Sequence, residues 1–300
     1  MIDRDESIGN GKRRTASRVR LACDSPNLLG EGPVYHPLEH ALYWVDIKGK
    51  TVNRLNLSND AHQSWPMPEM LGWVIPRQQA PGFIAGFKSG FARLVLEPLR
   101  IEPIGAPERH LPHNRLNDAA VDRFGCIWAG SMDELERNPT GALYRLDSTG
   151  NWALHDSGYV VANGPTFGVD HTVLYHTDTH SRIIYRFQLA ADGSIRDKQA
   201  FVAFPPEWGS PDGMATDEQN GVWVAHWGGA RLSRFLPDGH LDRYIEMPVS
   251  QVTSCCFAGH NLERMFVTTA SIGREDEQHA GCLFEVFPGI QGAPCYAYRG

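Results

Sequence analysis

The sequence predicts an all-β fold, a six-bladed β-propeller whose four-stranded antiparallel blades surround a central channel. Three observations predict it. A short apolar strand pattern returns six times, at spacings of 41 to 48 residues. A second strand with alternating basic and apolar residues follows most copies, and period-two alternation marks half-buried strands. The 30 Gly and 20 Pro are spread along the chain, as many short turns require. Units of roughly 40–50 residues with four short strands each are the signature of propeller blades.

The first unit carries Leu42-Tyr43-Trp44-Val45 and then Thr51-Val52-Asn53-Arg54-Leu55. The second carries Phe83-Ile84-Ala85-Gly86. The third pairs Ile127-Trp128-Ala129-Gly130 with Ala142-Leu143-Tyr144-Arg145-Leu146. In the fourth, Leu174-Tyr175-His176-Thr177 precedes Arg182 to Phe187, and in the fifth Val222-Trp223-Val224-Ala225 precedes Arg231 to Phe235. The sixth has Met265-Phe266-Val267-Thr268 and a final strand within Gly281 to Val286. Turns such as Asp192-Gly193 and Asp238-Gly239 separate strands. Six units in one ring leave the last blade a strand short, and Arg18 to Cys23 alternates suitably to supply it. Such closure protects an open sheet edge. One domain, residues 18–300, is therefore expected, with residues 1–17 a polar, disordered tail.

Lys and Arg number 28 against 35 Asp and Glu, a net charge of −7. That balance argues against nucleic acid or an anionic membrane as partner. No apolar run is long enough to span a bilayer, and the start lacks the apolar segment of a secretory signal. Six cysteines include no C-x-x-C pair. A reduced, cytoplasmic protein is the expectation.

Ten or eleven residues before each repeated strand lie Glu31, Gly72, Asn117, Asn163, Asp212 and Ser254. Equal offsets mean equivalent places in the blades. If these residues open the innermost strands, Glu31, Asn117, Asn163 and Asp212 converge on one mouth of the channel. Two carboxylates with carboxamide oxygens suit one divalent ion, Ca²⁺, Mg²⁺ or Mn²⁺, with Zn²⁺ also accommodated. Glu-Gly-Pro and Asx-Gly are also ordinary turn formers, and each alone reads as structural. His176 and His180 sit four apart on a strand, roughly 13 Å, too far to share an ion. No G-x-S-x-G, H-E-x-x-H or P-loop occurs, which removes several hydrolase and nucleotide classes.

Leu29-Gly30-Glu31-Gly32-Pro33 followed by Leu42 to Ile47 resembles the opening of the regucalcin/gluconolactonase, or senescence-marker-protein, family. The resemblance continues through Arg115-Leu116-Asn117-Asp118, Trp128 to Met132, Ala162-Asn163-Gly164, Pro211-Asp212-Gly213-Met214 and Pro248 to Ser254. It implies a six-bladed propeller holding one divalent metal through Glu31, Asn163 and Asp212. It also implies that Arg115 and Asn117 orient substrate and that Asp212 serves as catalytic base. The family's acidic substrate contact maps to Glu134, within Asp133-Glu134-Leu135-Glu136, where the register can be offset by one. The expected activity is hydrolysis of a small sugar lactone to its aldonic acid. Two other classes share this scaffold: a calcium-binding propeller without catalysis, and a promiscuous esterase or phosphotriesterase.

Overall fold

In the computed structural model the described residues are 13–14 and 19–300, and they form a ring of six antiparallel four-stranded blades, one of them extended by a short parallel strand, a six-bladed β-propeller. The inner strands are Gly30–His36, Leu71–Pro76, Asn114–Val121, Ala162–Phe167, Ser210–Thr216 and Val252–Ala258. Each contacts the next around the ring, and the sixth returns to the first. Among the described residues the only helical segment is a single turn, Pro206–Trp208.

Burial falls off radially, as the alternation in sequence requires. The second strands are mostly apolar and buried: Ala41–Asp46 and Ile127–Asp133 have no exposed position. Trp128 and Trp223 occupy the same place in blades three and five, Trp44 lies further along the second strand of blade one, and all three are wholly buried between blades. Each indole N–H is satisfied, by Asn27, Asp122 and Asp217 respectively. Burying such a ring leaves its polar edge needing a partner, and these pairings supply it. Outer strands such as Ile195–Ala203 are polar and largely exposed. Blade packing thus rests on large side chains of the middle strands, and truncating one costs about 3–5 kcal/mol.

The ring closes as the sequence suggested. Val19–Cys23 pairs antiparallel with Leu283–Val286 and completes blade six. Glu285, fully buried on the partner strand, receives Arg20 from the closing strand and Arg264 from the second strand. A buried carboxylate between two guanidiniums favours this pairing over a slipped register. Of the expected tail, Arg13–Arg14 pair in parallel with Arg243 and Tyr244 of blade five; its remaining residues lie outside the described residues.

The C-terminal segment does what no strand pattern announced. It crosses the face where the inner strands end, bonding to blades six, five, two and three in turn. Gly292 N–H donates to Leu262, Ala293 to Thr216, Tyr298 to Pro76 and Arg299 to Gly125. The catalytically interesting residues lie at the other end of the inner strands.

Candidate active site

Every inner strand shifts register close to its beginning: between Glu31 and Val34, Leu71 and Trp73, Leu116 and Ala119, Asn163 and Thr166, Pro211 and Met214, Val252 and Ser254. Such bulges bend a strand and re-aim side chains. Gly32 and Gly164 adopt φ of 52° and 45°, a conformation that costs glycine least. Blade two contributes no side chain: a Cβ on Gly72 would lie 2.2 Å from the carbonyl oxygen of Asn117.

The bulges gather Glu31, Asn117, Asn163 and Asp212 as the equal offsets predicted, all buried. Asn117 Nδ2 donates to Asn163 Oδ1 at 2.8 Å and to the Ala162 carbonyl at 2.8 Å. Asn163 in turn donates to Thr179 Oγ1 at 2.9 Å. Arg115 donates to Asn117 Oδ1 at 2.5 Å. The two carboxamides and the guanidinium are therefore fixed by one another.

One residue was missed in sequence. Asp118, buried, accepts from the Ala119 amide at 2.7 Å and from the Gly164 amide of the next blade at 2.9 Å. Its charge acts on both Glu31 and Asp212. The signal was the Asn117-Asp118 pair itself, of which only the first member was taken as functional.

Three buried carboxylates thus confront one another. Burial, then the charge of Asp118, pushes Glu31 up to about 8, although the Gly32 amide and Arg115 oppose the shift. Burial pushes Asp118 up to about 6, against the two amides it accepts. Asp212 is raised well above the usual carboxylate range, first by burial and then by Glu31 and Asp118. Its Oδ1 is buried with no hydrogen-bond partner among the described residues. Like charges in a dry site are costly unless a cation joins them. An all-oxygen donor set with an orphaned carboxylate oxygen fits a hard divalent cation, so the residues present pass that test.

Arg115 is the counterweight within the protein. It is buried, and its Nε has no partner among the described residues. Burial lowers its pKa, while Glu134, Glu31, Glu136 and Asp212 favour its charge. It also lines a cleft of ≈ 400 Å³ with Lys88, Ser89, Glu108, Arg109 and Asn114. Glu134 stands near Arg115, and its carboxylate is held by Lys88. A second cavity, ≈ 170 Å³, lies beside Asp118 and is walled by Trp73, Met214 and the C-terminal residues Pro294 and Tyr296.

The other candidates are structural. His176 is fully buried, bonded to the Thr177 carbonyl and stacked on Tyr159, while His180 is exposed. Asp46 accepts from the amides of Leu28, Leu29 and Gly49, as a turn-forming side chain does.

A ring of six four-stranded blades, with carboxylates and carboxamides gathered at one mouth of its channel, defines the class: a six-bladed propeller with an axial polar site. The family described as SMP-30/Gluconolactonase/LRE-like region matches residues 29–271, and the chain belongs to it. A 6-deoxy-6-sulfogluconolactonase of Pseudomonas putida is 32% identical over 285 residues, 91% of this chain and 96% of that protein. The pentonolactonase XacC of Haloferax volcanii is 32% identical over 286 residues, 92% of this chain and 96% of that protein. A solved structure of a luciferin-regenerating enzyme superposes with a TM-score of 0.90 at 26% identity, covering 95% of this chain and all of that one. The enzyme class expected from the sequence, a lactonase, is the class both curated relatives carry by name.

Proposed function

We propose that this protein hydrolyses a sugar lactone, with Glu31, Asn163 and Asp212 holding one divalent cation. The observation that carries the reading is the confrontation of Glu31, Asp118 and Asp212 beside Arg115, which itself lines a cleft with Lys88, Glu108, Arg109 and Asn114. When bound, a divalent cation supplies stabilisation of the negative charge that develops on the lactone carbonyl oxygen.

The remaining work falls to side chains. Asp212 accepts the proton of an attacking water as the new C–O bond forms. Cleavage of the ring C–O bond then returns that proton to the departing alkoxide, leaving hydroxyl and carboxylic acid. Arg115, locked to Asn117, is pre-positioned to hold substrate hydroxyls without paying orientation cost during the reaction. Lys88, Glu108, Arg109 and Asn114 of that cleft offer partners to the hydroxyls of a polyol. Glu134, already held by Lys88, takes a substrate hydroxyl at the edge of the cleft.

The test is a panel of aldonolactones and aryl esters, assayed by acid release with chelated protein and with protein reconstituted with Ca²⁺, Mg²⁺, Mn²⁺ or Zn²⁺. The proposal expects aldonolactone turnover that disappears on chelation and returns with metal. Ion binding with no turnover on any ester points to a non-catalytic propeller. Faster turnover of aryl esters than of aldonolactones points to the esterase class.

A further inference from the structure

A second group of metal-type donors lies far in sequence from the axial residues, at the seam where the ring closes. Asp24 directly follows the closing strand Val19–Cys23, while His279 and Cys282 directly precede its partner strand Leu283–Val286. Asp24 Oδ1 lies 3.5 Å from His279 Nδ1 and 3.5 Å from Cys282 Sγ. All three donor atoms lie within 4.8 Å of one another, and among the described residues no other trio of His, Cys, Asp or Glu does so. A tetrahedral zinc site with ordinary Zn–S, Zn–N and Zn–O bonds has ligand-to-ligand edges of roughly 3.4–3.5 Å. Two of the three edges already have that length.

The backbone around these donors is held independently of the three donor side chains. His279 has φ of 65°, and its carbonyl accepts the Cys282 amide at 3.1 Å, which folds the turn back on itself. Asn27 clamps the same turn, its amide and its Nδ2 each donating to the Gly281 carbonyl at 2.8 Å. A Cβ on Gly281 would lie 2.2 Å from the Asn27 carbonyl oxygen, so the turn and residues 24–27 pack backbone to backbone. Donors carried on such a frame need little reorganisation to take an ion.

We propose that Asp24, His279 and Cys282 form a second cation site, for Zn²⁺ or a metal of similar softness, that fastens the closing strand to blade six. Thiolate and imidazole select such ions over Ca²⁺ and Mg²⁺, which take six or more oxygens. One carboxylate and one thiolate neutralise the dication. Asp24 is exposed and Cys282 buried, so the fourth position faces solvent and belongs to water. Binding forms the metal–sulfur bond and releases the Cys282 proton to solvent. Because the thiol must lose its proton to bind, affinity rises with pH.

The experiment uses the full chain, kept reduced with a non-chelating phosphine, stripped of metal and titrated with Co²⁺ and Zn²⁺. The expected result is two equivalents bound, a thiolate-to-cobalt charge-transfer band, and a higher melting temperature with Zn²⁺. Cys282→Ser and His279→Ala should each lose the band, one equivalent and the Zn²⁺-dependent rise. Aldonolactone turnover should stay at the parental level in both. His279 is partly exposed, so His279→Ala should also melt like the parent without metal. A parent without the thiolate-to-cobalt band, whatever the number of equivalents, or a band that survives Cys282→Ser, overturns the site. Loss of lactone turnover in either variant leaves the binding readout intact and removes only its independence from the axial site.

Discussion

Blade five buries two aspartates only five residues apart, one at each end of its inner strand, in opposite circumstances. Asp217, just past the strand's end, is fully buried and accepts from Arg234 at 2.6 and 3.1 Å, from the Trp223 indole at 2.8 Å and from the Gly221 amide at 2.9 Å. Asp212, at the beginning, is as deeply buried and faces Glu31 and Asp118, with one oxygen unpartnered. Blade three repeats the contrast. Asp122 is tied to Arg145, the Trp128 indole and the Cys126 amide, whereas Asp118 lies among the axial acids. Desolvation is paid at all four positions, but a guanidinium and an indole join the backbone amides in offsetting it at only one end. The satisfied end ties the strands of each blade to one another, and the other end keeps uncompensated negative charge.

Exchanging charge for carboxamide at the two ends of blade five gives the widest separation. Asp212→Asn should lower aldonolactone turnover by about 10²–10⁴-fold even at saturating metal, because the amide cannot take the water's proton. Its metal-free melting temperature should equal or exceed the parent's, since a repelling charge has gone. Asp217→Asn should do the reverse. Stripping the charge from a buried ion pair with Arg234 costs about 3–5 kcal/mol in urea unfolding, with axial metal affinity preserved. A destabilised Asp212→Asn, or a stable Asp217→Asn, breaks the distinction.

A middle-sized effect sharpens it on the substrate side. Arg115→Ala should cut kcat/KM by about 10²-fold through lost orientation, while one axial metal equivalent still binds in a direct titration. If metal binding falls with it instead, Arg115 belongs to the charge balance of the site and not to the substrate.

What the sequence disclosed follows the same division. Trp44, Trp128 and Trp223 announced their blades because a middle strand buried on both faces has to be apolar, and that shows as a recurring pattern. The offsets of Glu31, Asn163 and Asp212 were equally visible. Asp118 was not, because successive residues of a regular strand point to opposite faces. Reading Asn117 as axial therefore turned Asp118 away. The register shift between Leu116 and Ala119 breaks that rule, and a bulge leaves no mark in composition. The C-terminal crossing was silent for a related reason: it bonds through single backbone contacts to four blades and never forms a strand with period two.

The smallest effect expected is also the most discriminating, since it concerns a residue assigned to ligation alone. Glu31 bonds its own neighbour, the Gly32 amide, at 3.0 Å, and a glutamine oxygen can accept the same bond. Glu31→Gln should therefore leave the metal-free melt unchanged, unlike any change at Asp217. The lost charge should weaken axial metal affinity by on the order of tenfold or more, since ligand charge count tunes such sites over decades. Turnover should then climb back toward the parental kcat as metal is raised, which Asp212→Asn cannot do. The measurement is aldonolactone hydrolysis against metal concentration for both variants, beside calorimetric titration of the metal. An unchanged affinity in Glu31→Gln would remove Glu31 from the ligand set. A kcat that stays low at saturating metal would instead move Glu31 from ligation into the chemistry itself.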